Sequence, residues 1–213
     1  VFSNVSPRWR TRLRLLVVAW ALVLVAAAFF SSRSTVSEQI DAARAATDLG
    51  EFLGSAAADI PDSAVIAVGP LRIESCDVNP VRPGASLSQT LQFTGATVAD
   101  LDTLADRLDL RPAPDTSVAI WNGSTSDYLN VRVTATTPDP AGGLHTDPVE
   151  LQVTTGCRPG PEPAAFTPAP PEGADESWQY GALTCPNGTV LASWTEPVES
   201  EPFTVHETTG RCG

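Results

Sequence analysis

Lysine and methionine are absent from this 213-residue chain; all 13 basic residues are arginine, and histidine occurs twice. The motifs that carry common catalysis are missing too. There is no G-x-S-x-G, no H-E-x-x-H, no P-loop and no G-x-G-x-x-G, so no nucleophile elbow, zinc helix or phosphate cradle is encoded. His145 and His206 stand apart in loop-like sequence, and His206-Glu207 reads as a solvated pair. No C-x2-C spacing accompanies the four cysteines, which argues against zinc. The expectation is a chain that is not an enzyme and needs no cofactor or metal. With abundant Ala, Pro and Asp, the all-arginine usage suits a GC-rich bacterial gene, and an opening Val1 reads as a literally translated GTG start.

Positive charge is scarce beyond the first segment. Arg8, Arg10, Arg12 and Arg14 lie in residues 1–32, which hold no acid. The rest has nine Arg against 25 acids, a formal charge of −16. Such a surface repels phosphate backbones, so nucleic acid is not an expected partner.

From Leu15 to Phe30 every residue is Leu, Val, Ala, Trp or Phe. Roughly 20 such residues span a bilayer, and Arg14 can snorkel to the interface. Four arginines on the N-terminal side and none inside the run obey the positive-inside rule. Residues 1–14 are therefore expected to be a cytoplasmic tail, residues 15–32 a single-pass anchor in the lipid bilayer, and the remainder extracytoplasmic. A second reading is a secretory signal peptide cleaved near Ala28, with Ala26-Ala27-Ala28 as the processing site.

Cys76, Cys157, Cys185 and Cys212 all follow the apolar run, as expected of disulfides formed outside the cytoplasm. Four cysteines allow three connectivities. A Pro-rich stretch separates them into two groups, which favours Cys76–Cys157 and Cys185–Cys212.

Between the apolar run and Cys157 two helices are expected. Leu49, Phe52, Leu53, Ala56, Ala57 and Ile60 form one stripe at helical spacing, ended by Pro61. Thr97 and Asp100 suggest a capped helix over Val98–Leu108, with Leu101, Leu104, Ala105 and Leu108 inward. Five strand-like runs accompany them. Ala64–Cys76 is interrupted at Gly69-Pro70; a turn is expected at Pro83-Gly84. Leu87, Leu91 and Phe93 alternate with polar residues. A run beginning at Val118 and Ile120 is expected to turn at Asn122-Gly123. Leu129–Ala135 and Val149–Val153 alternate cleanly, so each strand buries one face. The expectation for residues 33–158 is a two-layer α+β domain: an antiparallel or mixed sheet of about five strands, with two helices on one face.

Residues 159–177 are rich in Pro, Ala and Glu and read as a semi-extended linker; residues 178–213 read as a small disulfide-bonded β-hairpin module turning at Asn187-Gly188. Phe203–His206 is a candidate third strand. Trp178, Tyr180 and Trp194 cluster there. Such rings can anchor a protein partner, or cover the hairpin's own core and dock it.

A helix ending in Ile-Pro, a strand ending in Cys76, a helix-strand-strand middle and a last strand ending at Cys157 resemble small exported, membrane-anchored actinobacterial envelope proteins of unknown function. The resemblance covers roughly residues 36–158. It implies a fold and a compartment and carries no activity; the lipid-anchoring cysteine of many such proteins is missing here. The function expected is an envelope binding or structural module acting through protein–protein contacts. The alternative is a carrier holding a small apolar ligand or lipid between helices and sheet.

Overall fold

The computed structural model describes residues 7–37, 40–113, 118–136, 148–164, 167–198 and 201–212, with side chains left out at several positions inside helices and strands. His145, noted above, lies outside the described residues. The chain divides into two compact units, Val1–Ile40 and Asp41–Gly213.

The first unit is one helix, α1 (Pro7–Ser37). Within it Thr11–Ala28 is long and apolar enough to cross a membrane. Leu15, Leu16, Val17 and Val18, which point to successive sides, are all exposed, so the helix is apolar on every side with nothing of its own unit covering it. It outruns the expected span of 15–32 at both ends, because the flanking arginines and serines tolerate a helix that the apolar run nucleates.

The second unit is mixed α+β. Helix α2 (Ala42–Ala58) starts at Asp41, whose carboxylate accepts the Arg44 N–H at 2.8 Å. Ala45, Leu49, Leu53, Ala56 and Ala57 are buried along one stripe. The helix packs on β3 (Arg82–Thr94), β7 (Val149–Pro159) and β8 (Gln179–Thr184). The main sheet has seven strands, every pairing antiparallel. Its order is β1 (Val65–Val68), β3, β7, β6 (Asn130–Thr136), β5 (Val118–Ser124) and β4 (Arg111–Pro112), with β2 (Arg72–Asn79) sharing one edge of β3 with β1. Register aligns Phe93 with Val149, Leu91 with Leu151, Leu151 with Val133, and Val153 with Val131. These residues form one buried face.

The sheet exceeds the expected five strands for local reasons. Gly69-Pro70 breaks the first run into β1 and β2. β4 adds a two-residue edge. Both expected turns are strand interior instead. The β2–β3 turn falls at Pro80-Val81, where the Asn79 side chain accepts the Val81 N–H at 3.1 Å. Gly84 lies in β3, where a Cβ would collide with the Arg158 carbonyl. Gly123 lies in β5, where a Cβ would come 2.6 Å from a Leu110 methyl. Both glycines permit close approach rather than a turn. The β5–β6 turn sits at Thr125–Tyr128, with the Tyr128 N–H on the Thr125 carbonyl at 3.0 Å. Tyr128 has φ +60° there, and the buried Arg158 guanidinium donates to its carbonyl at 2.9 Å.

Helix α3 (Val98–Arg107) buries Leu101, Leu104 and Ala105. It begins with a capping box: Thr97 Oγ1 accepts the Asp100 N–H at 3.2 Å, and Asp100 Oδ2 accepts the Thr97 N–H at 2.8 Å. The Thr97 hydroxyl also donates to Asp100 Oδ2 at 2.6 Å. These bonds, the hydroxyl's first and the backbone's second, hold the Asp100 carboxyl below its ordinary 3.8. Folding therefore favours the ionised form. The stabilisation is full above the unfolded value and is lost as pH falls through the lowered folded value. Asp100→Ala is expected to cost about 1 kcal/mol at neutral pH. In urea melts of the detergent-solubilised chain that difference should shrink toward zero in strong acid; a difference independent of pH would refute the assignment.

The last strands form a three-stranded sheet, β8 with β9 (Val190–Val198) and β10 (Glu201–Thr209), the expected hairpin joined by a third strand that contains the candidate run Phe203–His206. Residues 159–177 do not hold it away from the main sheet: β1 contacts β9 and α2 contacts β8. Disulfides join Cys76 to Cys157 and Cys185 to Cys212, with Cα separations of 6.0 and 5.1 Å.

Candidate functional site

The β8–β9 hairpin is set by its turn. The Asn187 side chain accepts the Thr189 N–H at 2.9 Å, and Gly188 takes φ +83°. Regular register then fixes two faces. Gly181 opposes Ser193 and Leu183 opposes Leu191 on one; Tyr180 opposes Trp194, Ala182 opposes Ala192 and Thr184 opposes Val190 on the other.

The first face docks. Gly181, Leu183, Leu191 and Ser193 are buried. A Cβ on Gly181 would collide with the carbonyl oxygens of Val68 and Gly69, so the two backbones touch there. Ser193 Oγ accepts the Val68 N–H at 3.0 Å. A Cβ on Gly54 of α2 would collide with the Thr184 carbonyl. Gln89 completes the join: its buried amide donates to the Gly69 and Ala182 carbonyls at 3.0 and 3.2 Å. Arg211 donates to the Asp62 and Ala64 carbonyls near the chain end.

The aromatic residues are therefore not what docks the sheet. Tyr180 and Trp194 stack across the strands with centroids 5.3 Å apart and planes tilted by 54°. Both remain half-buried, and Val190, on the same face nearer the turn, is 51% exposed. Trp178, also half-buried, joins Tyr180, Ala182 and Val190 in lining a cleft of about 660 Å³, whose opposite wall includes Pro70 and Leu71. A second cleft of about 750 Å³ shares Leu71, Gln89 and Ala182 with it and runs on to Thr47 and Glu51 of α2. The two make one groove along the junction of α2 and β8.

Sequence reasoning singled out Trp178, Tyr180 and Trp194, and the structure brings all three to one side of the C-terminal sheet. It missed Leu71 and Gln89. Gln89 did carry a signal: it is a polar residue at an inward position of an alternating strand, where a buried amide must find partners. Cys76 and Cys157 lie at the end of the main sheet, and Cys185 and Cys212 tie the chain terminus to the β8–β9 turn. Among the described residues no group of three or more His, Cys, Asp or Glu is placed to hold a metal ion.

No family model and no curated protein matches the chain. Among solved structures, a DUF4853 family protein from Actinomyces odontolyticus ATCC 17982 is similar, at 12% identity and a TM-score of 0.48, covering 76% of this chain and 97% of that one. An N-terminal apolar helix together with two disulfides fits a membrane-anchored or secreted extracytoplasmic protein.

Proposed function

We propose that this chain is a membrane-anchored, extracytoplasmic binding module of a bacterial envelope, with α1 in the bilayer, the arginine-bearing N-terminus in the cytoplasm, and the Trp178–Tyr180–Trp194 face gripping a protein partner. The observation that carries the reading is the division of labour in the C-terminal sheet. Gly181, Leu183, Leu191 and Ser193 supply the docking. The aromatic pair, on the opposite face, is left as contact area that costs little side-chain entropy to use. The carrier alternative is disfavoured by the filled core: Leu49, Leu53, Leu87, Leu91, Phe93, Leu101 and Leu151 occupy the region where a ligand would sit, each essentially inaccessible.

The test places a photo-crosslinking benzoyl-phenylalanine at Val190, or at Val81 on the β2–β3 turn as a control, in the full chain in its native membranes. Val81 is 90% exposed, so both probes reach solvent. A discrete protein adduct is expected from position 190 and not from 81, and it should vanish when Tyr180 and Trp194 are both replaced by Ala. Adducts alike from both positions, none from 190, or an adduct that survives the double replacement would each overturn the reading.

A further inference from the structure

The main sheet has a second surface that the C-terminal contact face does not use. Its residues alternate with the buried rows, and register arranges them in lines across the strands. One line runs Arg111, Asn122, Arg132, Gln152, Thr90. The next runs Ser124, Asn130, Thr154, Ser88, Arg72. Three arginines thus share one face in a chain of net charge −12. Arg72, Arg111 and Arg132 are exposed, and none of them is in an ion pair among the described residues. The acids on this face are Glu150, which accepts from the Gln92 amide at 2.9 Å, and Glu74 on β2. Both lie outside the two lines. Between the arginines the side chains are amides and hydroxyls. Asn122, Ser124, Asn130, Arg132, Gln152 and Thr154, with the Gly123 and Val131 backbone positions between them, line an open cleft of about 460 Å³.

We infer that this face binds a carboxylate-bearing polysaccharide. Arg111 and Arg132 stand two strands apart, about 10 Å, a spacing that lets two forks engage different anionic groups of one polymer. A guanidinium fork matches a carboxylate through two parallel N–H···O bonds. The amides and hydroxyls between them both donate and accept, as sugar hydroxyls do. The two lines hold no aromatic platform on which bases could stack, which sets a nucleic-acid strand apart from a sugar chain. They also lack the apolar centre that a protein interface requires. The inference is independent of the aromatic face and stands or falls separately.

The experiment is calorimetric titration of the detergent-solubilised full chain with an oligogalacturonate, alongside an uncharged glucan of equal length and a single-stranded DNA oligomer. Binding is expected for the oligogalacturonate only, weakened at least about tenfold by Arg132→Gln and again by Arg111→Gln, the loss of one charge-assisted contact each. Arg82→Gln, at the β2–β3 turn, should leave it unchanged. Unaltered melting curves establish that the exposed substitutions leave the fold intact. No oligogalacturonate binding, or binding indifferent to Arg111 and Arg132, overturns the inference. Equal binding of DNA with the same arginine dependence overturns it too, because the face would then read charge alone.

Discussion

Replacing Gly181 by alanine is expected to lower the unfolding free energy by about 3 kcal/mol, the upper range for overpacking a tight contact. The new methyl would occupy the space of the Val68 and Gly69 carbonyl oxygens. These are backbone atoms of a paired strand and its exit, and no rotamer change can clear them. β8 must lift from β1, and the Gln89 amide then loses the Ala182 carbonyl it holds at 3.2 Å. Ser193 Oγ is drawn off the Val68 N–H in the same movement. For a domain of this size the melting temperature should fall by roughly 6–12 °C. Gly54→Ala strikes the Thr184 carbonyl across the same junction, so the double variant should lose less than the sum of the singles. Gly50→Ala is the control. It sits in α2 where an added Cβ would meet no other part of the chain within 4 Å, and should instead gain about 0.5–1 kcal/mol from helix propensity. If Gly181→Ala melts like the parent, the C-terminal sheet is not docked where the structure has it.

That junction marks the limit of what the sequence discloses. Strict alternation in Leu129–Ala135 and Val149–Val153 made β6 and β7 readable, because one buried face leaves a period of two. The α2 stripe and the Thr97–Asp100 box were readable because both are local. Gly84, Gly123 and Gly181 were not. A glycine that allows close approach and one that makes a turn are identical in sequence, and the difference lies in which distant backbone comes near. For the same reason Trp178, Tyr180 and Trp194 were recognisable as contact-forming rings, while their face was not, since that depends on what Gly181 touches. The arginine face was invisible altogether. Arg111, Arg132 and Arg72 come from separate strands, and only register brings them to one face.

Removing the Cys76–Cys157 bridge, as Cys76→Ala with Cys157→Ala, is expected to cost about 4.5 kcal/mol, the loop-closure entropy of the 81-residue separation. That is a large share of the 5–15 kcal/mol typical of a domain. The geometry says where the loss should be felt. β2 and β7 lie on opposite sides of β3: Cys76 pairs across from Gly84, and Cys157 from Ser86. A flat sheet would hold such strands about 10 Å apart. The cysteine Cα atoms are 6.0 Å apart, so the sheet curls sharply over β3 at this end. Gly84 makes the curl feasible, because a side chain there would strike the Arg158 carbonyl and a Val78 methyl. Without the bridge, β2 keeps its ladder to β3 but loses its tie to β7. Hydrogen exchange should therefore speed up first over Arg72–Asn79, while β6 keeps protection close to the global limit. The Cys185–Cys212 pair, 27 residues apart, should cost about 3.5 kcal/mol by the same relation. Its loss should loosen the chain end and the β8–β9 turn instead of β2. Chemical denaturation with exchange mass spectrometry measures both outcomes. A loss under about 1 kcal/mol for the first pair, or faster exchange that spares β2, would mean that Gly84 packing alone holds the curl.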